Sequence, residues 1–235
     1  MKRKSKRETI DELKNKLSPI EKLYKAKCIN WKGTTTDKNE QYSEVIAQEL
    51  LKHRAKFEKT TRVKRNNSYY RENHCNIEID ICKSNRNEEN FAKRIAGLEL
   101  NNLGLIKDYQ IPLKDTSANE GIGKIDLISY NEKDKKLFLI ELKYTGNKET
   151  LLRALLESYT YSKIVDKNKL ITDFLGPVNP DEIKIIPAVL LATGCNSYKE
   201  LKEIKDGKRP HLKELSLSLG IKYFTIDFSL NEIYL

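Results

Sequence analysis

Apolar positions recur at helical spacing through the first third of the chain. Ile10, Leu13 and Leu17 predict a helix over residues 9–17, and Ile20, Leu23 and Tyr24, behind Ser18-Pro19, predict a second. Tyr42, Val45, Ile46, Leu50 and Leu51 form one stripe of a third, between residues 39 and 57. Around Trp31 the pattern lapses into a loop. Ile77–Ile81 alternates like an edge strand, and Ser84-Asn85-Arg86-Asn87 supplies capping residues for a helix running to about Asn101. Further on, strands are expected at 105–113, 183–192 and 221–228, and helices at 149–165, 197–205 and 211–219. Residues 115–121 and the Gly176-Pro177 region read as loops.

The most informative stretch is Gly121 to Lys143. Lys124–Ile128 and Leu137–Lys143 read as two strands joined by the polar turn Asn131–Lys136. The second strand is apolar on both faces until its end, as in a central strand covered on both sides. Alternation puts Leu137, Leu139, Glu141 and Lys143 on one face and Phe138, Ile140 and Leu142 on the other. Glu141 and Lys143 then project from a mostly buried surface, their backbones roughly 6–7 Å apart. Asp126 interrupts the neighbouring apolar strand. Burying such charges is costly unless they pair, hold a metal or meet a charged ligand. Local rules broken in this way often mark function.

Asp126, followed after a hairpin by Glu141-Leu142-Lys143, resembles the D…(D/E)xK signature of the PD-(D/E)XK nuclease superfamily. Glu157-Ser-Tyr-Thr-Tyr161 is similar to the QxxxY motif of its RecB-like and Cas4-like branch, with Glu in the place of Gln. Asn87–Ala92 is similar to the acidic first helix of that core, and Ile125 stands where the full signature has proline. The resemblance covers residues 87–235. It implies an α/β, restriction-endonuclease-like αβββαβ core, a mixed central sheet flanked by helices. It also implies that Asp126, Glu141 and the backbone carbonyl of Leu142 hold Mg²⁺ or Mn²⁺. Glu88, favoured over Glu89, joins them through water. Lys143 orients the attacking water or stabilises negative charge, while Glu157 and Tyr161 position this network or touch the strand being cut. Carboxylate oxygens suit such hard cations.

Elsewhere Glu12-Leu-Lys14, Glu182-Ile-Lys184, Glu200-Leu-Lys202 and Glu203-Ile-Lys205 repeat the tripeptide on polar stretches, where each is expected to be a solvated charge pair. The domain expectation is therefore a basic, mainly helical extension over residues 1–80 and a nuclease-like domain over 81–235. The net charge of +10 favours polyanionic partners. The tract holding Arg62, Lys64, Arg65, Tyr69 and Arg71 interleaves cations with an aromatic, as nucleic-acid grooves do. The four cysteines have no metal-ligand spacing and read as reduced thiols of a cytoplasmic protein. No apolar run approaches the ~18–20 residues of a membrane span. A metal-dependent nuclease acting on DNA is the function expected, with a homodimer or larger complex compatible with it. The alternative is an inactive member of the fold that binds nucleic acid or an assembly partner.

Overall fold

The structure, a computed structural model, describes residues 3–60, 62–72, 87–115 and 123–227. Helix α1 (Lys6–Lys14) begins three residues before its expected start, because Ser5 and Glu8 form a reciprocal capping box. Behind Pro19 the chain makes two short 3₁₀ turns, Ile20–Lys25 and Lys27–Asn30, in place of the expected α-helix. α2 (Tyr42–Lys52) and α3 (Arg54–Phe57) divide the third expected helix at His53. α4 (Asn87–Ile95) stops well short of Asn101: Gly97, at φ +84°, turns the chain into β1 (Glu99–Leu100). The expected strand at 77–81 and the expected capping residues 84–86 lie outside the described residues.

Among the described residues, β1, β2 (Gly104–Pro112), β3 (Lys124–Asn131), β4 (Lys136–Lys143), β5 (Lys184–Ala192) and β6 (Lys222–Ile226) form one mixed sheet in sequence order. β1 to β4 pair antiparallel, and β4, β5 and β6 run parallel. The crossover from β4 to β5 carries α5 (Leu151–Ile164) and α6 (Lys167–Leu175); α7 (Asn196–Lys205) and α8 (Pro210–Ser218) lead to β6. α6 has no counterpart among the expected helices. It is a nine-residue helix capped by Asp166 and ended by Gly176 at φ +75°, too short for its Leu170, Ile171 and Phe174 to declare a period. Among the described residues no helix is long and apolar enough to cross a membrane.

The alternation along β4 sorts the core into two clusters, as the sequence predicts. Leu137 and Leu139 pack under α5, whereas Phe138, Ile140 and Leu142 pack with Phe91, Ala92 and Ile95 of α4. The α5 side is the larger. Leu13, Leu23, Tyr24, Ile46, Leu50, Phe57 and Tyr69 belong to the same buried cluster as α5, α6, α7 and α8. The N-terminal third thus buries its apolar face against the sheet domain. The boundary expected at residue 80 lies outside the described residues. One contact shows how closely the two regions are joined. α8 has no cap from its own segment, and the Glu44 carboxylate of α2 accepts the backbone N–H groups of His211 and Leu212 at 3.0 and 2.9 Å.

Candidate active site

The site forms where β3 is irregular. The ladder between β2 and β3 pairs Tyr109 with Leu127 and Ile111 with Ile125, and that between β3 and β4 begins at Leu127 with Ile140; Asp126 is paired in neither. Its carboxylate replaces the missing strand contacts. Asp126 Oδ2 accepts the backbone N–H of Leu142 at 2.9 Å, and Oδ1 accepts from the side-chain amide of Gln110 at 2.8 Å. Gln110 itself sits at φ +49°, a strained conformation for a side-chain-bearing residue. A break in the register of β2 lies just before it, between Ile106 and Asp108. The distortion turns a strand residue into a hydrogen-bonded carboxylate at the sheet's edge of order.

Beside it, Glu141 and Lys143 are 4% and 3% exposed. Lys143 Nζ lies 2.6 Å from Glu141 Oε1, 2.9 Å from Glu149 Oε2 and 4.0 Å from Glu88 Oε1. Glu88 is itself held: its Oε2 accepts from Tyr144 N and Asn147 Nδ2, both at 3.0 Å. Glu89 turns away to pair with Lys93 at 3.3 Å. On α5, Arg153 Nε stands 3.1 Å from Glu149 and 3.8 Å from Glu157. Tyr161 donates to Glu157 Oε1 at 2.7 Å, and its ring meets Tyr24 edge-on. Gly123 explains itself here. A Cβ at that position would lie 1.9 Å from Tyr161 Oη, so only glycine lets the chain pass the phenol.

Five carboxylates (Glu88, Asp126, Glu141, Glu149 and Glu157) thus share two cations, Lys143 and Arg153. The electrostatics follow from this excess of acid in a water-poor place. Burial pushes Asp126 up to about 7, with the Glu88 charge adding to it and Lys143 and the Leu142 N–H pulling back. Burial, then the Asp126 charge, holds Glu141 well above the usual carboxylate range. Burial alone would lower Lys143; Glu141, Glu88, Asp126 and Glu149 together outweigh it and hold the ammonium well above its usual value. Tyr161 is raised by burial and by Glu157, and Tyr24 is pushed up to about 12, mainly by burial. The lysine is thus held firmly protonated, while Asp126 and Glu141 are reluctant to ionise.

The donor chemistry fits a hard divalent cation. Asp126, Glu141 and the Leu142 carbonyl offer only oxygen, the ligand set of Mg²⁺, which fills its remaining positions with water or substrate. Among the described residues no three His, Cys, Asp or Glu side chains form a ready-made cage.

The residues expected for nucleic-acid contact divide. Arg65 and Tyr69 are buried parts of the fold. The Arg65 guanidinium donates to the carbonyls of Asn67, Ser68, Pro112 and Lys114 at 2.7–2.9 Å and lies over the Tyr69 ring at 4.4 Å. Tyr69 Oη accepts from Asp166 N at 3.1 Å. Arg62 and Lys64 are exposed, and Arg71 donates to the Gln110 carbonyl at 3.2 Å. Glu200 also departs from expectation. Far from being a solvated partner of Lys202, it is buried, accepts the Leu151 N–H at 2.7 Å and faces Arg209 at 3.8 Å.

Sequence reasoning missed Gln110, Glu149, Gly123 and Tyr24. The signal for Gln110 was a polar residue placed opposite Asp126 once the two strands are paired. The others depend on how the N-terminal segment and α5 come together, which no local pattern announces. Neither family models, curated proteins nor solved structures contain a match to this chain.

Proposed function

We propose that the protein is a divalent-metal-dependent nuclease that hydrolyses phosphodiester bonds, with DNA as the substrate. One observation carries the reading: Asp126, Glu141, Lys143 and Glu88 converge at a distorted strand position, with more acid than the local cations neutralise. The order α4, antiparallel β2–β3–β4, α5 and parallel β5 is also what the restriction-endonuclease-like resemblance implies, and supports it.

Asp126, Glu141 and the Leu142 carbonyl would hold Mg²⁺ or Mn²⁺, with Glu88 reaching it through water. When bound, such a cation makes the phosphorus more electrophilic and the attacking water more acidic. Lys143 does the rest as a charge. Because the surrounding carboxylates keep it protonated, it stabilises negative charge on the phosphate as the water adds and is no proton acceptor. Glu149 and Glu141 fix its ammonium from two sides. Gln110 and the Leu142 N–H fix Asp126. Arg153 and Tyr161 hold Glu157 on the α5 side of the site.

A second reading, a nucleic-acid-binding module without catalysis, is favoured by the near-complete enclosure of Glu141 and Lys143, which satisfy each other. The deciding experiment measures cleavage of plasmid, linear and single-stranded DNA, with RNA alongside, in Mg²⁺, Mn²⁺ or EDTA. The parent is compared with Lys143→Ala. Metal-dependent cutting that vanishes in the variant supports the nuclease. Binding without cutting supports the module, and cutting that survives Lys143→Ala removes this site from the reaction.

A further inference from the structure

The far end of α5 carries the opposite charge. There an open groove of about 700 Å³ is lined by Arg54, Arg62, Lys163, Lys167 and Lys184, against two acids, Glu58 and Asp181. Glu58 is occupied in holding Arg54 at 2.7 Å and Lys163 at 3.1 Å. Arg54 is fixed again by the Ser218 carbonyl at the end of α8, which accepts from Nε and Nη2 at 3.2 and 3.0 Å. Two of the cations are therefore positioned in advance. Arg62, Lys167 and Lys184 have no ion-pair partner among the described residues, and Arg62 and Lys184 are exposed. The floor is the start of β5. β6 begins at Lys222, opposite Ala188, so Lys184–Pro187 extend beyond it and pair only with β4. An added peptide strand is disfavoured at this edge because Pro187 lacks the N–H such pairing uses. What remains is a cation-walled trough with an apolar floor of Ile185, Ile186 and Pro187.

We infer that this groove binds the sugar-phosphate backbone of a nucleic acid, at phosphates remote from the one at Lys143. The identity of the ligand rests on the reading of the site given above; the charge of the groove does not. Lys163 lies ten residues beyond Arg153 on α5, about 15 Å along its axis. That is four to five base steps of duplex, at about 3.4 Å each. The cations supply affinity and register, not sequence choice, since phosphates are alike at every base.

The test is a binding titration in EDTA, read by fluorescence anisotropy on a labelled DNA duplex and repeated across salt concentrations. The triple variant Arg62→Ala/Lys167→Ala/Lys184→Ala is expected to bind at least about tenfold more weakly. Its slope of log affinity against log salt should shrink by about two to three, roughly one unit for each phosphate that is no longer neutralised. The charge-keeping triple Arg62→Lys/Lys167→Arg/Lys184→Arg should retain both. Unchanged affinity and slope in the alanine variant would overturn the proposal. So would equal loss in the charge-keeping variant, or displacement of the duplex by poly-glutamate as readily as by unlabelled duplex. Because metal is absent, the result is separate from catalysis. Weakened binding in the alanine variant, with a parent that never cuts, would uphold the groove and sink the nuclease. Metal-dependent cutting with unchanged binding would do the reverse.

Discussion

Among the described residues, the buried charges around Arg209 and those around Lys143 are built on different terms. Around Arg209 the buried charges are one of each sign, Arg209 and Glu200, and the second acid, Glu203, is partly exposed. The Arg209 guanidinium bonds Ser43 and Glu203 and faces Glu200, whose carboxylate also takes the Leu151 N–H and the Asn196 amide. Burial raises Glu200, Arg209, Leu151 and Asn196 pull it back, and the Glu203 charge, the least of these causes, adds to the rise. This cluster ties α2, α5, α7 and the start of α8 together. Around Lys143, by contrast, acids outnumber cations, and burial and mutual repulsion both raise Asp126 and Glu141. Burial of charge alone therefore marks nothing. On the reading proposed above, an excess of buried acid is what separates a place that takes a cation from one that holds the fold.

The comparison breaks most visibly if Arg209 is removed. Arg209→Ala leaves Glu200 buried without its cation, and is expected to cost about 3–5 kcal/mol of stability by urea denaturation. Cleavage per folded molecule should stay unchanged. Lys143→Ala should cost stability too, since it leaves Glu141 buried without its cation, but unlike Arg209→Ala it should also reduce cleavage per folded molecule about 10²–10³-fold in Mg²⁺. Cleavage per folded molecule that is lost in the first variant, or kept in the second, would erase the distinction between the clusters.

Asp126→Asn sharpens it through pH. The carboxyl ionises near its ordinary 3.8 when unfolded but near 7 in the native protein, so the native state binds more protons between these values. Stability in EDTA therefore falls as pH rises from about 4 to 7. The Asn variant, which has no such proton to lose, should be the more stable of the two at pH 8 and show a flatter pH profile. A wild-type profile that does not fall over this window would contradict the assignment.

Smaller effects test the packing behind the acids. Gly123→Ala drives a methyl into the Tyr161 phenol and is expected to cost about 1–2 kcal/mol. Tyr161→Phe removes the atom it strikes, so the double variant should recover part of that loss, as measured by a double-mutant cycle. Smallest of all, Glu89→Ala removes the i,i+4 pair with Lys93, itself worth about 0.3–0.5 kcal/mol, and should leave cleavage untouched.

How much of this was legible in the sequence depends on whether the determinant was local. β4 declared itself through its double-sided apolar run, and its two faces pack as its alternation requires. Asp126 stood out as an acid among apolar strand residues. Glu88 and Glu89 were nearly indistinguishable one residue apart, and only the path of α4 across the end of β4 separates them. Gln110 has no local reason to sit at positive φ; the bulge in β2 and its bond to Asp126 supply it. Arg65 and Glu200 were misjudged for one shared reason. A charged residue looks solvated until one knows which carbonyls or N–H groups, 47 to 49 positions away, are brought to meet it.

The cap that Glu44 places on α8 has a consequence for how the chain is made. The acceptor is synthesised 167 residues before the helix end it serves. At 5–20 residues per second, ribosomal synthesis separates the two by roughly 8–33 seconds. Through that interval α1, α2 and the 3₁₀ turns can pack on one another, but the face that α2 turns to α8 lacks that partner. The α2–α8 seam is therefore closed late, although one of its two halves is made long before the other.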